Sequence, residues 1–519
     1  MNIQEAKDQI EKSIRIYLKK DSYGNYRIPL SRQRPVFLLG APGIGKTAIM
    51  EQIAQDLDVA LVSYSMTHHT RQSALGLPFI SHKKYQGREF DISEYTMSEI
   101  IASMYEMMEK SGKTEGILFL DEINCVSETL APSMLQFLQF KTFGKHRIPQ
   151  GWVVVTAGNP PQFNRSVREF DVVTLDRMKI MEVEADYMTW RNYALNRGIH
   201  GAILTYLDIK KADFYVVQST VDGKAYVTAR GWEDLSEILY LYEEESFPVE
   251  ESLIGQYLRH RRISRDFAAY YDLYQKYKKD YRVKSILAGE EGAQVTERAK
   301  NAGFDERLSL IGLLLDAIQL EIRENIERED ALKKLYRTLK EVKGQLEIME
   351  NQDTSPFTGG PHRSGEQPVI GLLRSNWESL QRMLGRQDEA HAISETERRE
   401  YQFVIESLMR YAKELQMSDI IRPRESFALI KKRFDEDVAA MRADRANISR
   451  ELSNLFRFVA KNLGEGREML VLVTDLTVNT NSAKFIARTG CPEYEKYNKK
   501  FQIYERQQEI TDAIEQLKL

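Results

Sequence analysis

The chain has 519 residues, of which 42% are hydrophobic and 29% are charged, and this length predicts more than one globular domain. The net charge of −4 gives no overall basic signal for nucleic acid, and no apolar run approaches the ~18 residues that a membrane span requires. The two cysteines are too few for a disulfide framework and the first residues do not resemble a signal peptide, so we expect a cytoplasmic protein.

The first third of the chain alternates between helical and strand-like patterns. Residues 1–20 place apolar side chains at helical spacing, and short apolar runs separated by helical segments follow up to residue 184. The runs predict five strands, at Val36–Leu39, Val59–Ser65, Gly116–Leu120, Trp152–Ala157 and Lys179–Glu184. Nearly continuous apolar strands between helices predict an α/β domain over residues 1–185, with a parallel sheet covered on both faces.

The segment after the first predicted strand fits the phosphate-binding pattern G-x-x-x-x-G-K-[ST]. It consists of Gly40, Ala41, Pro42, Gly43, Ile44, Gly45, Lys46 and Thr47. The glycines allow backbone N–H groups to surround phosphate oxygens at the start of the following helix. Lys46 would add a positive charge at the β- and γ-phosphates, and Thr47 would ligate Mg²⁺. The motif therefore predicts a P-loop that binds a nucleoside triphosphate.

Polar side chains follow two further predicted strands. The third strand leads directly to Asp121 and Glu122. In a phosphoryl-transfer site Asp121 would bind Mg²⁺, and Glu122 would orient and deprotonate the attacking water. The fourth strand ends at Asn159, within a Gly-Asn-Pro segment that is also typical of an ordinary turn. If it is more than a turn, the Asn159 amide would reach the γ-phosphate or the water.

The order of these motifs resembles that of AAA+ ATPases, and it is most similar to the MoxR-type branch, which neighbours the magnesium-chelatase and dynein-related modules. The resemblance covers about residues 30–275. Four segments are similar to those of this branch: Gln72–Ile80, Asp121–Asn124, Leu175–Met178 and Thr228–Glu233. The resemblance implies the AAA+ fold with a small helical lid, ATP as the nucleotide, and a sensor 1 role for Asn159.

The resemblance also implies roles for two arginines. Arg177 would be the arginine finger that reaches a neighbouring subunit's nucleotide, and Arg230 would be sensor 2, which contacts the γ-phosphate from the lid. A guanidinium suits both roles because its planar fork matches phosphate oxygens and it stays charged. Arg177 could instead be a solvated surface side chain, with Arg165 or Arg168 in its role. Arg230 could instead lie at a helix start and pack on Trp232.

The rest of the chain has mostly helical patterns. Residues 186–280 are predicted to form the lid, and residues 281–519 a mostly helical C-terminal region. Long helices are predicted at Asp305–Asn325, Glu329–Glu350, Val369–Leu384, Glu395–Gln416 and Ser426–Asn462. The Pro-, Gly- and Ser-containing segment 353–367 is predicted to be a mobile loop. The Tyr- and Lys-rich segment 270–279 either binds single-stranded nucleic acid or packs as a helix on its domain.

We therefore expect an ATPase that binds ATP with Mg²⁺ and hydrolyses it to ADP and phosphate. By the resemblance, it would form a homo-oligomeric ring, hexameric by family analogy, and remodel a protein client or assembly. A partner with a von Willebrand factor A-type domain is implied in the same way. A nucleic-acid motor or loader is an alternative that the charge argues against. A nucleotide-gated scaffold is another, against which Lys46, Asp121 and Glu122 argue.

Overall fold

The structure is a computed structural model that describes residues 1–143, 145–163, 167–220, 223–351, 367–389, 393–418, 420 and 422–502. The chain divides into two compact units. The first unit comprises residues 1–189 with 382–398, and the second comprises residues 190–381 with those from 399 onwards. The predicted mobile loop lies outside the described residues, except for Gln367.

Most strands belong to the first unit and the longest helices to the second. The strands are β1 (Val36–Gly40), β2 (Ala60–Ser65), β3 (Pro78–Tyr85), β4 (Arg88–Tyr95), β5 (Gly116–Asp121), β6 (Thr142–Phe143), β7 (His146–Arg147), β8 (Trp152–Gly158), β9 (Lys179–Val183), β10 (Val216–Thr220) and β11 (Gly223–Val227). The helices up to residue 301 are α1 (Ile3–Tyr17), α2 (Lys46–Asp56), α3 (Arg71–Leu75), α4 (Glu99–Ser111), α5 (Ala131–Phe140), α6 (Val172–Leu175), α7 (Tyr187–Arg197), α8 (Gly201–Ile209), α9 (Ala229–Glu244), α10 (Glu251–Tyr257), α11 (Arg261–Tyr281), α12 (Val283–Ala288) and α13 (Ala293–Asn301). The later helices are α14 (Phe304–Asn351), α15 (Pro368–Glu389), α16 (Glu395–Met417), α17 (Pro423–Asn462), α18 (Arg467–Val478) and α19 (Thr480–Thr489).

The first unit is built on a five-stranded sheet with the order β2-β5-β8-β1-β9. Every neighbouring pair in it is parallel. All five predicted strands are present, and their bounds differ from the prediction by at most one residue. The prediction of a parallel α/β sheet is therefore confirmed. Because all five strands run in the same direction, their carboxyl ends lie at one edge of the sheet.

Helices cover both faces of this sheet. Alternate side chains of a strand point to opposite faces, and Leu118 and Leu120 of β5 share a core cluster with Phe137 of α5. The intervening Ile117 and Phe119 are also fully buried, and α2 contacts β2 and β5. Burial of both faces leaves the strand ends as the place where polar side chains can meet a ligand.

Among the described residues, three two-stranded antiparallel sheets, β3–β4, β6–β7 and β10–β11, were not predicted from the sequence. The longest, β3–β4, turns through Gln86 and Gly87, whose φ angles are 48° and 82°. Positive φ at both residues is what a type I′ turn requires. Most side chains of β3 and β4 are exposed on both faces, so no alternation of buried apolar residues marked these strands in the sequence.

The second unit contains one helix where two were predicted. The patterns at Asp305–Asn325 and Glu329–Glu350 both belong to α14, which has 48 residues. The residues between the two patterns include no Gly or Pro, and Ile326 is buried, so nothing interrupts the helix there. Within the described part of the chain, no helix is both long and apolar enough to cross a bilayer.

Buried polar groups join the helices of the second unit. The guanidinium of Arg191 on α7 donates hydrogen bonds to both carboxylate oxygens of Asp208 and to both of Asp475, over 2.6–2.9 Å. Asp475 belongs to α18, so this ion triad connects residues 284 positions apart in the sequence. In α11, Tyr271 and Tyr274 are buried, which favours the packed-helix interpretation of the Tyr-rich segment.

Candidate nucleotide-binding and hydrolysis site

The predicted P-loop connects the end of β1 to the first residue of α2, so it lies at the carboxyl edge of the sheet. Gly43 and Gly45 have φ angles of 73° and 94°, which L-residues with a side chain rarely adopt. Gly40 is needed for a different reason, since a Cβ there would lie 2.7 Å from the carbonyl oxygen of Val183. The loop therefore requires glycine at both glycine positions of the motif, Gly40 and Gly45, and favours it at Gly43 as well, so its backbone can approach a ligand closely.

Lys46 is the first residue of α2 and is only 7% exposed. Its ammonium group donates to the carbonyl oxygens of Gly40 and Ala41, over 2.7 and 2.8 Å, and to Oδ1 of Asn159, over 3.0 Å. These are neutral acceptors, and a phosphate oxygen is a stronger one for an ammonium group. The lysine is thus held at the edge of the sheet by groups that a phosphate can replace.

Thr47 and Asp121 bring two oxygen ligands together across the sheet. The Thr47 hydroxyl donates to Oδ2 of Asp121 over 3.1 Å. Hydroxyl and carboxylate oxygens are hard ligands that suit Mg²⁺, which usually completes its shell with phosphate oxygens and water. In the part of the chain that the structure describes, no group of three or more His, Cys, Asp or Glu side chains could hold a metal ion. The donor set fits a Mg²⁺ ion that arrives with a nucleotide.

Glu122 follows Asp121 and has a left-handed backbone conformation with φ of 54°. Oε2 of Glu122 accepts hydrogen bonds from the hydroxyls of Ser65 and Thr67, over 3.3 and 3.1 Å. Ser65 is the last residue of the neighbouring strand β2, and Thr67 lies in the 3₁₀ turn that follows it. The carboxylate that was predicted to activate water is therefore fixed by side chains of the adjacent strand end. Neither hydroxyl was predicted from the sequence, because Ser and Thr at a strand end belong to no recognisable motif.

Asn159 directly follows β8, as predicted, and its side chain meets Lys46 as described above. Its backbone carbonyl accepts a hydrogen bond from the Asn124 side chain over 2.8 Å. The structure thus brings together five of the predicted site residues at one sheet edge: Lys46, Thr47, Asp121, Glu122 and Asn159.

The comparison with protein families agrees with this geometry. Residues 36–174 match the model of the ATPase family associated with various cellular activities (AAA). The first unit therefore contains a segment that is similar to AAA ATPase domains. The matched range includes the P-loop, the acidic pair and Asn159, and it ends before Arg177.

Among curated proteins, none matches this chain. The crystal structure of NtrX from Brucella abortus is similar at 14% sequence identity with a TM-score of 0.23. That similarity covers 38% of this chain and 39% of the NtrX chain, so it spans well under two thirds of either protein.

Arg177 lies beyond the AAA match, on the surface of the first unit. It follows α6, and Nη1 donates to Oε1 of Gln139 over 2.6 Å. Arg168, one of its alternatives, pairs with Glu128, and Arg165, the other, lies outside the described residues. The structure therefore does not bring Arg177 to the Lys46 site within the chain.

Arg230 belongs to the second unit, where it is the second residue of α9 and is exposed. The side chain of Trp232 is fully buried, contacts the ring of Phe267 edge-on and the tilted ring of Tyr206, and donates to the carbonyl oxygen of Phe214 over 3.1 Å. Because Trp232 is enclosed by these partners while Arg230 faces solvent, the arginine remains available for an anion.

Proposed function

We propose that the chain binds ATP with Mg²⁺ and hydrolyses it to ADP and phosphate. One observation carries this proposal: the ammonium of Lys46, the oxygens of Thr47 and Asp121, the carboxylate of Glu122 and the amide of Asn159 converge at the edge of one parallel sheet. Phosphoryl transfer depends mainly on positioning and charge neutralisation, which this set supplies.

Each group has a role in the proposed reaction. The P-loop backbone and Lys46 bind the phosphates, and the Lys46 ammonium moves from its carbonyl acceptors to the β- and γ-phosphate oxygens. Bound Mg²⁺, held by Thr47 and Asp121, would neutralise phosphate charge. Glu122 orients a water molecule and accepts its proton. Asn159 donates to the γ-phosphate or to that water, which places the water in line.

We further propose that hydrolysis depends on a second copy of the chain, with Arg177 as the finger in trans. The surface near Arg177 supports this, because Phe140, Val172 and Val173 are 50%, 80% and 60% exposed. A monomer gains nothing by exposing large apolar side chains next to a guanidinium, whereas a subunit interface would bury them. Arg230 would act from the lid as sensor 2, and the ring would have the hexameric form of the resembling family.

The MoxR-like remodelling role rests on the resemblance and on the hairpin β3–β4. Phe79, Ile80 and Phe90 of this hairpin are exposed, and its first three residues belong to the segment Gln72–Ile80, which is similar to the MoxR-type branch. We propose that it contacts a protein client or a partner with a von Willebrand factor A-type domain. We also propose a division of the chain into ATPase domain (1–185), lid (186–280) and C-terminal region (281–519).

The proposal is tested by measuring ATP turnover of the wild-type protein and of Arg177→Ala, alone and mixed, over a range of protein concentrations. Mass is measured in parallel with and without ATP. We expect turnover per subunit to rise with concentration, and Arg177→Ala to bind ATP but to lose turnover. Gln139→Ala, which removes the present partner of Arg177, is the matched control and should retain turnover.

Other results would redirect the proposal. Normal turnover by a monomeric Arg177→Ala would show that the finger in trans is wrong and that a partner-dependent switch is the better model. Equal, very slow turnover of wild type and Glu122→Gln would favour the nucleotide-gated scaffold. Salt-sensitive stimulation of turnover by DNA or RNA would favour the nucleic-acid motor.

A further inference from the structure

Asn124 is a buried polar residue for which no role was predicted from the sequence. It lies in the 3₁₀ turn Ile123–Cys125, directly after the acidic pair, and is 3% exposed. Its Nδ2 group donates to the backbone carbonyl oxygen of Asn159 over 2.8 Å. Since β5 and β8 are neighbours in the sheet, this hydrogen bond joins the turn that carries Glu122 to the turn that carries Asn159.

The absence of a side chain at Gly158 leaves room for the side chain of Asn124. A Cβ at Gly158 would lie 2.5 Å from Oδ1 of Asn124 and 2.7 Å from its Cγ. The backbone at Gly158 does not have a positive φ, so glycine is needed here for close approach and not for conformational freedom. The backbone carbonyl of Asn124 also accepts a hydrogen bond from the N–H of Arg168 over 2.9 Å. The asparagine is thus fixed from both sides.

The contact bears on how Asn159 presents its amide. Oδ1 of Asn159 faces the ammonium of Lys46, so the two Nδ2 hydrogens are the donors that remain for a phosphate or a water. The side chain is short, and its direction follows from the backbone that Asn124 holds. A displacement of about 1 Å at such a group costs on the order of 10²-fold in rate.

We infer that Asn124 is a positioning residue that holds the Asn159 amide in line with the γ-phosphate, and this inference rests on the nucleotide site proposed above. Asn124 acts through Asn159 and does not itself touch the nucleotide. Its loss should therefore weaken recognition of the γ-phosphate and leave binding of the α- and β-phosphates, which the P-loop supplies, unchanged.

The test compares affinities for ATPγS and ADP, measured by calorimetry with Mg²⁺, for wild type, Asn124→Ala, Asn159→Ala and the double variant. We expect Asn124→Ala to reduce the ATPγS-to-ADP preference about tenfold, as expected for one lost hydrogen bond to a charged group. ADP affinity should stay at the wild-type value. Because Asn124 acts through Asn159, the double variant should match Asn159→Ala.

Two further variants separate positioning from a general loss of stability. Gly158→Ala removes the same contact from the other side and should reproduce the affinity change if Asn124→Ala folds poorly. Asn325→Ala removes another buried amide, which donates to the carbonyl of Met441 over 3.0 Å, and should leave the affinity ratio unchanged. An unchanged ratio in both Asn124→Ala and Gly158→Ala, or additive effects in the double variant, would overturn the inference. Lack of wild-type turnover would overturn the proposed hydrolysis alone, because the affinity ratio does not depend on it.

Discussion

The two units of the chain place their buried polar groups differently. In the first unit the strands β5 and β8 are buried and apolar almost throughout, and the polar side chains meet at the carboxyl edge of the sheet. In the second unit, polar contacts such as the Arg191 ion triad and the hydrogen bond between His200 and Glu243 lie between helices. The polar groups of the first unit therefore surround a point where a ligand can enter, whereas those of the second unit contact each other.

The difference shows what each set can do. Lys46 is held by neutral oxygens that a phosphate can replace, so its hydrogen bonds are exchangeable. The four donor contacts of Arg191 go to two carboxylates, which leave little for any other partner. Such buried ionic groups fix which helix faces pack together, as polar groups do in some helical assemblies. We thus interpret the polar groups at the sheet edge of the first unit as a site for chemistry, and those between the helices of the second unit as groups that hold the fold together.

The largest effect is expected for Glu122→Gln in the first unit. Removing the proton acceptor should lower kcat of ATP hydrolysis about 10²- to 10⁴-fold, while nucleotide affinity stays near the wild-type value. Phosphate release and nucleotide binding are measured side by side. Glu109→Gln, on the exposed face of α4, is the matched control and should hydrolyse normally. If Glu122→Gln kept its turnover, the chemical interpretation of this edge would be wrong.

Arg191→Met is expected to have the next largest effect, on stability. It leaves the buried carboxylate of Asp475 and the half-buried one of Asp208 without their cation, which should cost about 3–5 kcal/mol. Scanning calorimetry should show a lower unfolding temperature. Adding Asp208→Asn and Asp475→Asn to this variant should recover part of the loss, because the uncompensated charge is then removed. An unchanged unfolding temperature in the single variant would contradict the architectural role.

The sequence predicted the first unit better than the second, for a physical reason. Buried parallel strands are continuous apolar runs, and the residues that follow them at one edge, such as Asp121 and Asn159, could be identified before the structure was known. The partners across the edge could not be identified, because Ser65, Thr67 and Asn124 meet their targets only through the pairing of distant strands.

In the second unit the sequence indicated helices but not their contacts. The pattern on each side of Ile326 predicted two helices, because amphipathic periodicity gives no sign of continuity when the buried face drifts around the helix. The partners Arg191 and Asp475 are 284 residues apart, so no local pattern could pair them. Long-range polar contacts of this kind need the fold.

Lys141 does not follow the pattern of the first unit, because this buried lysine lies away from the polar groups at the carboxyl edge of the sheet. It is 2% exposed, its ammonium donates to the carbonyl of Leu138, and burial lowers its pKa to about 7. The unfolded lysine keeps a pKa near 10.5 and binds more protons than the folded one between these values, so stability rises as the pH rises from 7 towards 10.

Lys141→Met should therefore raise stability at pH 7, by about 2–3 kcal/mol after the lost hydrogen bond is subtracted. The advantage over wild type should shrink as the pH approaches 10, because the folded and unfolded lysine then carry similar charge. Unfolding temperatures of both proteins at pH 7 and pH 9.5 check this. A difference that does not change with pH would mean that the buried ammonium is not the cause.

The smallest effect is expected for Arg433→Ala in the second unit. Arg433 is 43% exposed and pairs with Glu414 and Glu436, over 2.6 and 2.8 Å. Exposed ion pairs contribute little to stability because water screens them, so the unfolding temperature should hardly change. Measured beside Arg191→Met, this variant shows whether burial or the mere presence of ion pairs determines the stability of the second unit. If Arg433→Ala lowered the unfolding temperature as much as Arg191→Met does, burial would not distinguish the two kinds of ion pair.

Helix α14 has a consequence for the second unit that follows from its length. Its 48 residues extend over about 72 Å at 1.5 Å per residue. One part of the helix contacts α8 and α11, and residues from Leu332 to Leu346 share a core cluster with α15, α16 and α17. A tilt of about 10° at one end would move the other end by about 12 Å, roughly one helix diameter. Because α14 is one continuous helix, a small rotation at one end would therefore become a large displacement at the other.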